Sequence, residues 1–169
     1  RVALEISPDE MQRVATELYK EMLRHGYTQV AEFHYIHHDK NGKSFHNKAE
    51  MGSRLIAAAK DAGIAITLVP MFYQKGGFGE AAKEGQRRFI SPTTGDYYNL
   101  LESSREAVKS YNRASLGFGF HSLRAVDQSS MQEALQFAGD HPIHIHISEQ
   151  KKEIDDCLAY YKKRPVDYL

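Results

Sequence analysis

Histidine and glutamate side chains are concentrated in residues 141–150, which have the sequence HPIHIHISEQ, in a chain with nine histidines in all. Isoleucine alternates with His144, His146 and Ser148, and this period of two predicts a strand whose isoleucines pack under helices while the histidines line the opposite face. Neutral imidazole is a good zinc ligand, and a nearby carboxylate can accept a proton from metal-bound water. His146 and Glu149 therefore suit one corner of a zinc site. The alternative is that the imidazoles only satisfy hydrogen bonds, a role that fits His144 better.

A second group that could carry chemistry lies in residues 118–125, FGFHSLRA. His121 ends a predicted strand and Arg124 falls in the turn after it. A guanidinium can bind a carboxylate through two parallel hydrogen bonds, so the pair suits a substrate that bears a carboxylate. The alternative is that Arg124 lies on a solvated loop.

A third cluster occupies residues 32–39, EFHYIHHD. Strand alternation divides it into one face with Glu32, His34 and Ile36 and another with Phe33 and Tyr35. The pattern does not decide which face reaches a site. His37 and His38 follow the strand, where we expect solvated loop histidines in preference to a second metal site.

These clusters fall at the ends of strands in a chain that alternates strand and helix patterns. The predicted strands are 29–36, 65–72, 115–121 and 142–148, and the predicted helices are 7–26, 49–61, 103–113, 129–139 and 151–162. Such alternation predicts right-handed βαβ units and a parallel sheet, in which the carboxyl ends of neighbouring strands carry the active site. The fold class is therefore α/β.

One long connection, residues 73–101, leaves the carboxyl end of a predicted strand and contains Gly76, Gly77 and Gly79. Long connections are often lids or binding loops. A phosphate-binding loop is the weaker interpretation, because the glycines lack the Lys-Ser/Thr ending of that motif and do not lead directly into a helix.

Composition excludes several classes of partner. The 22 basic residues balance the 22 acidic ones, so no net charge favours nucleic acid or an anionic membrane. No apolar run approaches the roughly 20 residues that span a bilayer, and no signal peptide is recognised. The single cysteine, Cys157, allows no internal disulfide, which favours a cytoplasmic location.

Five segments together resemble the formimidoylglutamate deiminase family of the amidohydrolase superfamily. They are VAEFHYIHHD, the loop YQKGGFG with QRRF, GFGFHSLRAV, HIHISEQKKEIDDCL and RPVDYL. The resemblance implies a (β/α)₈ barrel that uses one zinc ion to hydrolyse N-formimino-L-glutamate to N-formyl-L-glutamate and ammonia in histidine degradation. It also implies a homodimer for the longer parent protein.

Site residues follow from the same resemblance. His146 matches a zinc ligand and Glu149 matches the residue that moves the proton. His121 and Arg124 match residues that hold the substrate, and Tyr35 matches a tyrosine that contacts it.

The chain is nevertheless expected to be one partial barrel domain, residues 1–169, and a fragment of a longer protein. The resemblance implies further zinc ligands on the first and eighth strands, and this chain matches the second to fifth strands with about five helices. We therefore expect the chain alone to bind zinc weakly and to lack activity. Two alternatives remain, namely another amidohydrolase deaminase acting on a purine or triazine, and a non-catalytic module that binds a small anion.

Overall fold

The computed structural model describes residues 2–169, which form a parallel sheet covered by a row of helices. The strands are β1 (Gln29–His34), β2 (Ala65–Phe72), β3 (Ala114–Leu116), β4 (Phe118–Phe120) and β5 (Ile143–Ile145). The helices are α1 (Val2–Glu5), α2 (Pro8–Arg24), α3 (Glu50–Ala62), α4 (Thr94–Val108), α5 (Gln128–Leu135), α6 (Lys151–Tyr161) and α7 (Pro165–Tyr168).

The strands lie side by side in sequence order and are all parallel. β3 and β4 are two parts of one strand, since both pair with β2 and only Gly117 separates them. The Gly117 N–H still donates to the Leu68 carbonyl at 2.8 Å, so the pairing continues across the break. Four parallel strands joined by helices form half of a (β/α)₈ barrel, which confirms the predicted fold class.

Helix α2 begins with a capping box. The Ser7 Oγ accepts the Glu10 N–H at 3.3 Å, while the Ser7 N–H donates to the Glu10 carboxylate at 2.9 Å. Each contact satisfies a main-chain or side-chain group that would otherwise lack a partner at the helix start. Tyr19 on α2 is fully buried against the sheet and α3, whereas Val14 and Leu18 are more than half exposed.

The core consists of two apolar clusters on either side of the middle of β2. The first joins α2, α3 and the start of β2 through Ala15, Tyr19, Leu55, Ile56, Ala58, Ala59, Ile64, Ile66 and Leu68. The second joins the end of β2 to α4, β4 and α5 and includes Phe72, Tyr97, Leu100, Leu101, Phe118, Phe120, Leu123 and Met131. Strand β2 therefore pairs with a strand on each edge and packs against helices. Its nearly continuous apolar sequence is typical of a strand covered on both faces, and Leu68, Val69 and Met71 are all buried.

The predicted helix 103–113 is wrong in its bounds. Helix α4 begins nine residues earlier, at Thr94, and ends at Val108, so the long connection covers 73–93 rather than 73–101. The Thr93 Oγ accepts the Asp96 N–H at 3.1 Å and forms a second capping box. The start of α4 is hard to recognise in the sequence, because the first residues, TTGDYYN, are mostly polar and the apolar periodicity of the helix begins only at Tyr97. Residues 2–169 also contain seven α-helices instead of about five, two of them four residues long.

The last third of the chain departs from the predicted packing at two places. Ile143 was expected to pack under helices, but it is 52% exposed because β5 is the edge strand of the described part of the sheet. The helical spacing of Ile154, Leu158 and Tyr161 predicts an apolar face of helix α6, but Leu158 is 41% exposed. The buried residues of this helix are Glu153 and Cys157. Within residues 2–169, no helix has both the length and the apolar character needed to cross a bilayer.

Candidate active site

Four aromatic side chains follow the carboxyl ends of neighbouring strands and meet at one end of the sheet. The His121 ring lies 4.3 Å from the Tyr73 ring and 5.4 Å from each of the Tyr35 and His146 rings. The main chain continues the sheet to this point, because the His146 N–H donates to the His121 carbonyl at 3.2 Å. The residues that the sequence singled out on β1, β4 and β5 are therefore brought together.

Strand β1 turns Phe33 and Tyr35 toward this cluster. The Phe33 ring lies 5.4 Å from both the His144 and the His146 rings. Glu32 points to the opposite side, where its carboxylate accepts the Tyr19 hydroxyl at 2.7 Å. Burial raises the pKa of Glu32, and the hydrogen bond from Tyr19 partly offsets that rise. The sequence pattern does not decide which face of β1 reaches the site. In the structure it is the face with Phe33 and Tyr35.

His121 is held as a neutral imidazole. Burial lowers its pKa to about 3, and the neighbouring Arg124 charge and His146 ring act in the same direction. Its Nδ1 lies 3.0 Å from the Ser122 Oγ. The neutral ring of His121 can form a hydrogen bond with a polar ligand. Negatively charged groups of that ligand would then be attracted to the Arg124 guanidinium and not to His121.

Arg124 lies between two carboxylates and is only 26% exposed, so it is not on a solvated loop. Its Nη2 lies 3.8 Å from Oε2 of Glu149, and its Nη1 lies 3.4 Å from Oε2 of Glu153. The Glu149 side chain is more than half exposed, whereas that of Glu153 is almost completely buried. One carboxylate therefore faces the open side of the site and the other forms its floor.

The turn between His146 and α6 aims Glu149 at this region. Ser148 has φ +55°, in the left-handed region that residues other than glycine adopt with an energetic cost. Glu149 donates its main-chain N–H to Oε2 of Glu153 at 3.0 Å. This contact from the start of α6 stabilises the turn that precedes the helix.

The loop 73–93 covers part of the site. Gln86 donates to the Tyr73 hydroxyl at 2.8 Å and accepts the Lys83 N–H at 2.7 Å, which ties the loop to the cluster around His121. A cleft of about 520 Å³ separates the loop from α6, with Gly77, Arg124 and Glu153 in its lining. The glycines lead only to a single 3₁₀ turn, Glu84–Gln86, which agrees with a covering loop better than with a phosphate loop.

His37 and His38 are not the solvated loop residues that we expected. His37 is buried, with its Nε2 3.0 Å from the Met71 carbonyl, and the His38 Nε2 lies 2.7 Å from the Ile90 carbonyl. Arg88 is also buried, because its guanidinium donates to the His38 and Ala3 carbonyls. These bonds fix the end of the loop 73–93 to the main chain after β1.

The described residues do not form a complete metal site. Throughout residues 2–169, no three His, Cys, Asp or Glu side chains converge as a metal would require. His146 fits as one imidazole ligand, since it is half-buried at the carboxyl end of β5 beside a neutral His121. A four-coordinate zinc ion would need other ligands.

Sequence reasoning missed Glu153 and Tyr73. Glu153 lies in the first turn of α6, four residues before the buried Cys157, and this spacing places the two on one helix face. That signal was available, but an acidic residue is expected to be exposed. Tyr73 follows β2 just as Tyr35 follows β1, so its position relative to the strand ends was the available signal.

Comparison with known proteins identifies relatives along the whole chain. It is 46% identical to formimidoylglutamate deiminase of Pseudomonas aeruginosa, covering 100% of this chain and 37% of that protein. A crystal structure of an amidohydrolase from Brucella melitensis superposes with a TM-score of 0.95 at 45% identity, over 99% of this chain and 37% of that one. A zinc-bound adenosine deaminase from Xanthomonas campestris gives a TM-score of 0.72 over 99% of this chain and 33% of that one, at 19% identity, which shows a shared fold alone. No protein-family model matches the chain.

The chain is thus similar in sequence and in fold to the Brucella amidohydrolase, and the Xanthomonas protein that shares its fold was solved with bound zinc. Its resemblance to formimidoylglutamate deiminase is confirmed over its full length. The chain spans 37% of the length of that relative.

Proposed function

We propose that the protein to which this chain belongs is a zinc-dependent formimidoylglutamate deiminase that converts N-formimino-L-glutamate and water to N-formyl-L-glutamate and ammonia. The observation that carries the proposal is the convergence of His121, Arg124, His146 and Glu149 at the ends of β4 and β5. The 46% identity to the Pseudomonas deiminase supports the choice of substrate.

In this proposal Arg124 binds a carboxylate of the substrate. Its guanidinium is already desolvated and directed by Glu153, so it can accept a second carboxylate partner from the cleft side with little loss of side-chain freedom. His121 packs against Tyr35 and lies near enough to Arg124 to be influenced by its charge, and the neutral imidazole of His121 can hydrogen-bond the substrate without repelling the positively charged formimino group.

Glu149 moves the proton. Its half-exposed carboxylate can take a proton from the attacking water and deliver it to the departing nitrogen, so that the carboxylate is regenerated at the end of the cycle. The zinc ion, held in part by His146, would supply acidification of that water toward neutral pH. The remaining ligands of the ion are expected from parts of the protein other than this chain.

The proposal is tested with the intact protein by measuring ammonia release from N-formimino-L-glutamate. Arg124→Lys keeps a charge opposite Glu153 but loses the two-pronged contact, so we expect kcat/KM to fall about 10- to 100-fold, mainly through KM. Glu149→Gln removes the proton acceptor and is expected to lower kcat by about 10²- to 10⁴-fold. Arg105→Ala is the matched control, because Arg105 forms only an exposed pair with Glu102 on α4.

Two results would contradict the proposal. One is undiminished turnover of N-formimino-L-glutamate in Arg124→Lys at a zinc content equal to that of the wild type. The other is wild-type activity on a purine or triazine substrate with none on N-formimino-L-glutamate, which would assign the site to another deaminase class.

A further inference from the structure

Glu153 is a buried carboxylate whose surroundings are unusual for a structural residue. It lies in the first turn of α6 with 1% of its side chain exposed. Ionised groups are rarely buried unless they are paired, because their removal from water is costly. An apolar side chain of similar size would fill the same space without that cost.

The contacts of Glu153 fall on two residues of the proposed site. A single oxygen, Oε2, accepts the Glu149 main-chain N–H at 3.0 Å and pairs with the Arg124 Nη1 at 3.4 Å. The other oxygen, Oε1, is buried and has no hydrogen-bond partner among the described residues. A buried oxygen without a partner lowers the stability of the fold. The burial of Glu153 is therefore better explained by the contacts of Oε2 with Arg124 and Glu149 than by a contribution to folding.

We infer that Glu153 is a positioning residue that sets the direction of Arg124 and the orientation of Glu149; this inference rests on the proposed function. One oxygen atom shared by the guanidinium and the Glu149 N–H fixes these two groups relative to each other. It also holds the main chain of Glu149 directly after the left-handed Ser148.

Glu153 also competes with Glu149 for Arg124. The guanidinium lies 3.4 Å from Glu153 and 3.8 Å from Glu149, so the buried carboxylate is the closer partner. Without its charge, the guanidinium is free to close onto Glu149. Such a pair would withhold the proton acceptor from the reaction and the guanidinium from the substrate carboxylate at the same time.

The test is Glu153→Gln in the intact, zinc-loaded protein. The amide oxygen can still accept the Glu149 N–H, but the charge that holds Arg124 is gone. We expect KM to rise and kcat to fall, with a loss in kcat/KM of about tenfold or more at unchanged zinc content. Asp155→Asn is the matched control, since this acid is exposed on the same helix and is not among the residues that line the cleft. It is expected to stay within about twofold of the wild type.

A double-mutant cycle separates positioning from a purely structural role. If Glu153 acts through Arg124, Glu153→Gln will lower kcat/KM by less than about threefold in an Arg124→Lys background. The reason is that the side chain at position 124, which Glu153 directs, has already lost its two-pronged contact. Equal losses in both backgrounds, or a lowered melting temperature without loss of kcat/KM, would overturn the inference.

A readout without catalysis keeps this inference distinct from the proposed function. Glu153→Met removes the acceptor and is expected to speed amide hydrogen exchange at Glu149 at least tenfold, while Asp155→Asn leaves it unchanged. An inactive wild-type protein with this exchange result would sink the proposed function and leave the positioning of Glu149 in place. Unchanged exchange in Glu153→Met would overturn the positioning itself.

Discussion

At the scale of single residues, burial keeps two histidines near the end of β1 in the neutral form. His34 ends β1 and His37 lies three residues later, with ring centroids 4.9 Å apart. Burial lowers the pKa of both, to about 4 for His37 and well below the usual value for His34. Because the Met71 carbonyl can only accept, the Nε2 of His37 must carry the proton of the neutral ring.

This pair predicts loss of stability in mild acid. In the unfolded chain a histidine binds a proton near pH 6.5, whereas folded His37 does so only near pH 4. Between these values the unfolded state binds more protons, so the free energy of unfolding should decrease as the pH falls, by about 1 kcal/mol per pH unit for His37 alone. Urea unfolding followed from pH 7.5 to pH 4.5 measures this decrease.

The variant His37→Gln isolates the contribution of His37. Its amide can donate to the Met71 carbonyl without titrating, so the dependence on pH should become shallower by that amount. His46→Gln is the control, because His46 is exposed on the loop after β1 and its replacement should leave the slope unchanged. Parallel curves for wild type and His37→Gln would contradict the prediction.

At the scale of elements, the broken strand β3–β4 shapes the inner face of the sheet. A Cβ atom at Gly119 would lie 2.8 Å from Val69 Cγ1 and closer still to Met71 Sδ. At Gly117 the nearest contact would be Val69 Cγ2, at 2.9 Å. Glycine at both positions lets the side chains of β2 extend across β4, below the cluster around His121.

Gly119→Ala is therefore expected to destabilise the fold by about 1–3 kcal/mol, because Val69 is stiff and buried and cannot move aside. Gly95→Ala is the matched control on α4, where the nearest atom to a new Cβ, Thr93 Oγ1, is 3.6 Å away. There alanine should be neutral or stabilise the helix by up to about 1 kcal/mol. Urea midpoints at an unchanged m-value measure both effects, and a Gly119→Ala protein as stable as the wild type would contradict this account.

Element patterns explain how much of the site could be predicted. The strand ends that carry Tyr35, His121 and His146 were predicted because parallel strands place their carboxyl ends together whatever the detailed packing. Glu153 and Arg88 were missed because the burial of a charge depends on partners that are distant in the sequence or in the next turn. The start of α4 was missed because polar residues and a glycine occupy its first turn.

At the scale of the whole molecule, the sheet ends in two open edges. Within the part of the chain that the structure describes, β1 and β5 each pair with a strand on one side only. Apolar side chains are exposed near both edges, among them Leu18 and Phe33 at one and Ile143 and Leu158 at the other. Unpaired parallel edges with apolar surroundings favour association between chains.

The 169-residue chain on its own is expected to bind zinc weakly and to release no ammonia from N-formimino-L-glutamate. The physical reason is that one imidazole, His146, is available where a zinc site uses about four ligands. Metal content after dialysis and an ammonia assay measure the two properties, with the intact protein as the positive control. Stoichiometric zinc that survives dialysis, or measurable turnover, would show that the isolated chain completes a site by itself.

The hydrogen bonds of the buried Arg88 affect the order in which parts of the chain fold. Its bond to the Ala3 carbonyl joins residues 85 positions apart, and its bond to the His38 carbonyl spans 50. Contacts of such long range have a large entropic penalty and form after the local β-α units have docked. The loop 73–93 should therefore be among the last segments to gain protection when amide exchange is followed during refolding, so that the sheet is assembled before the cover over its strand ends closes.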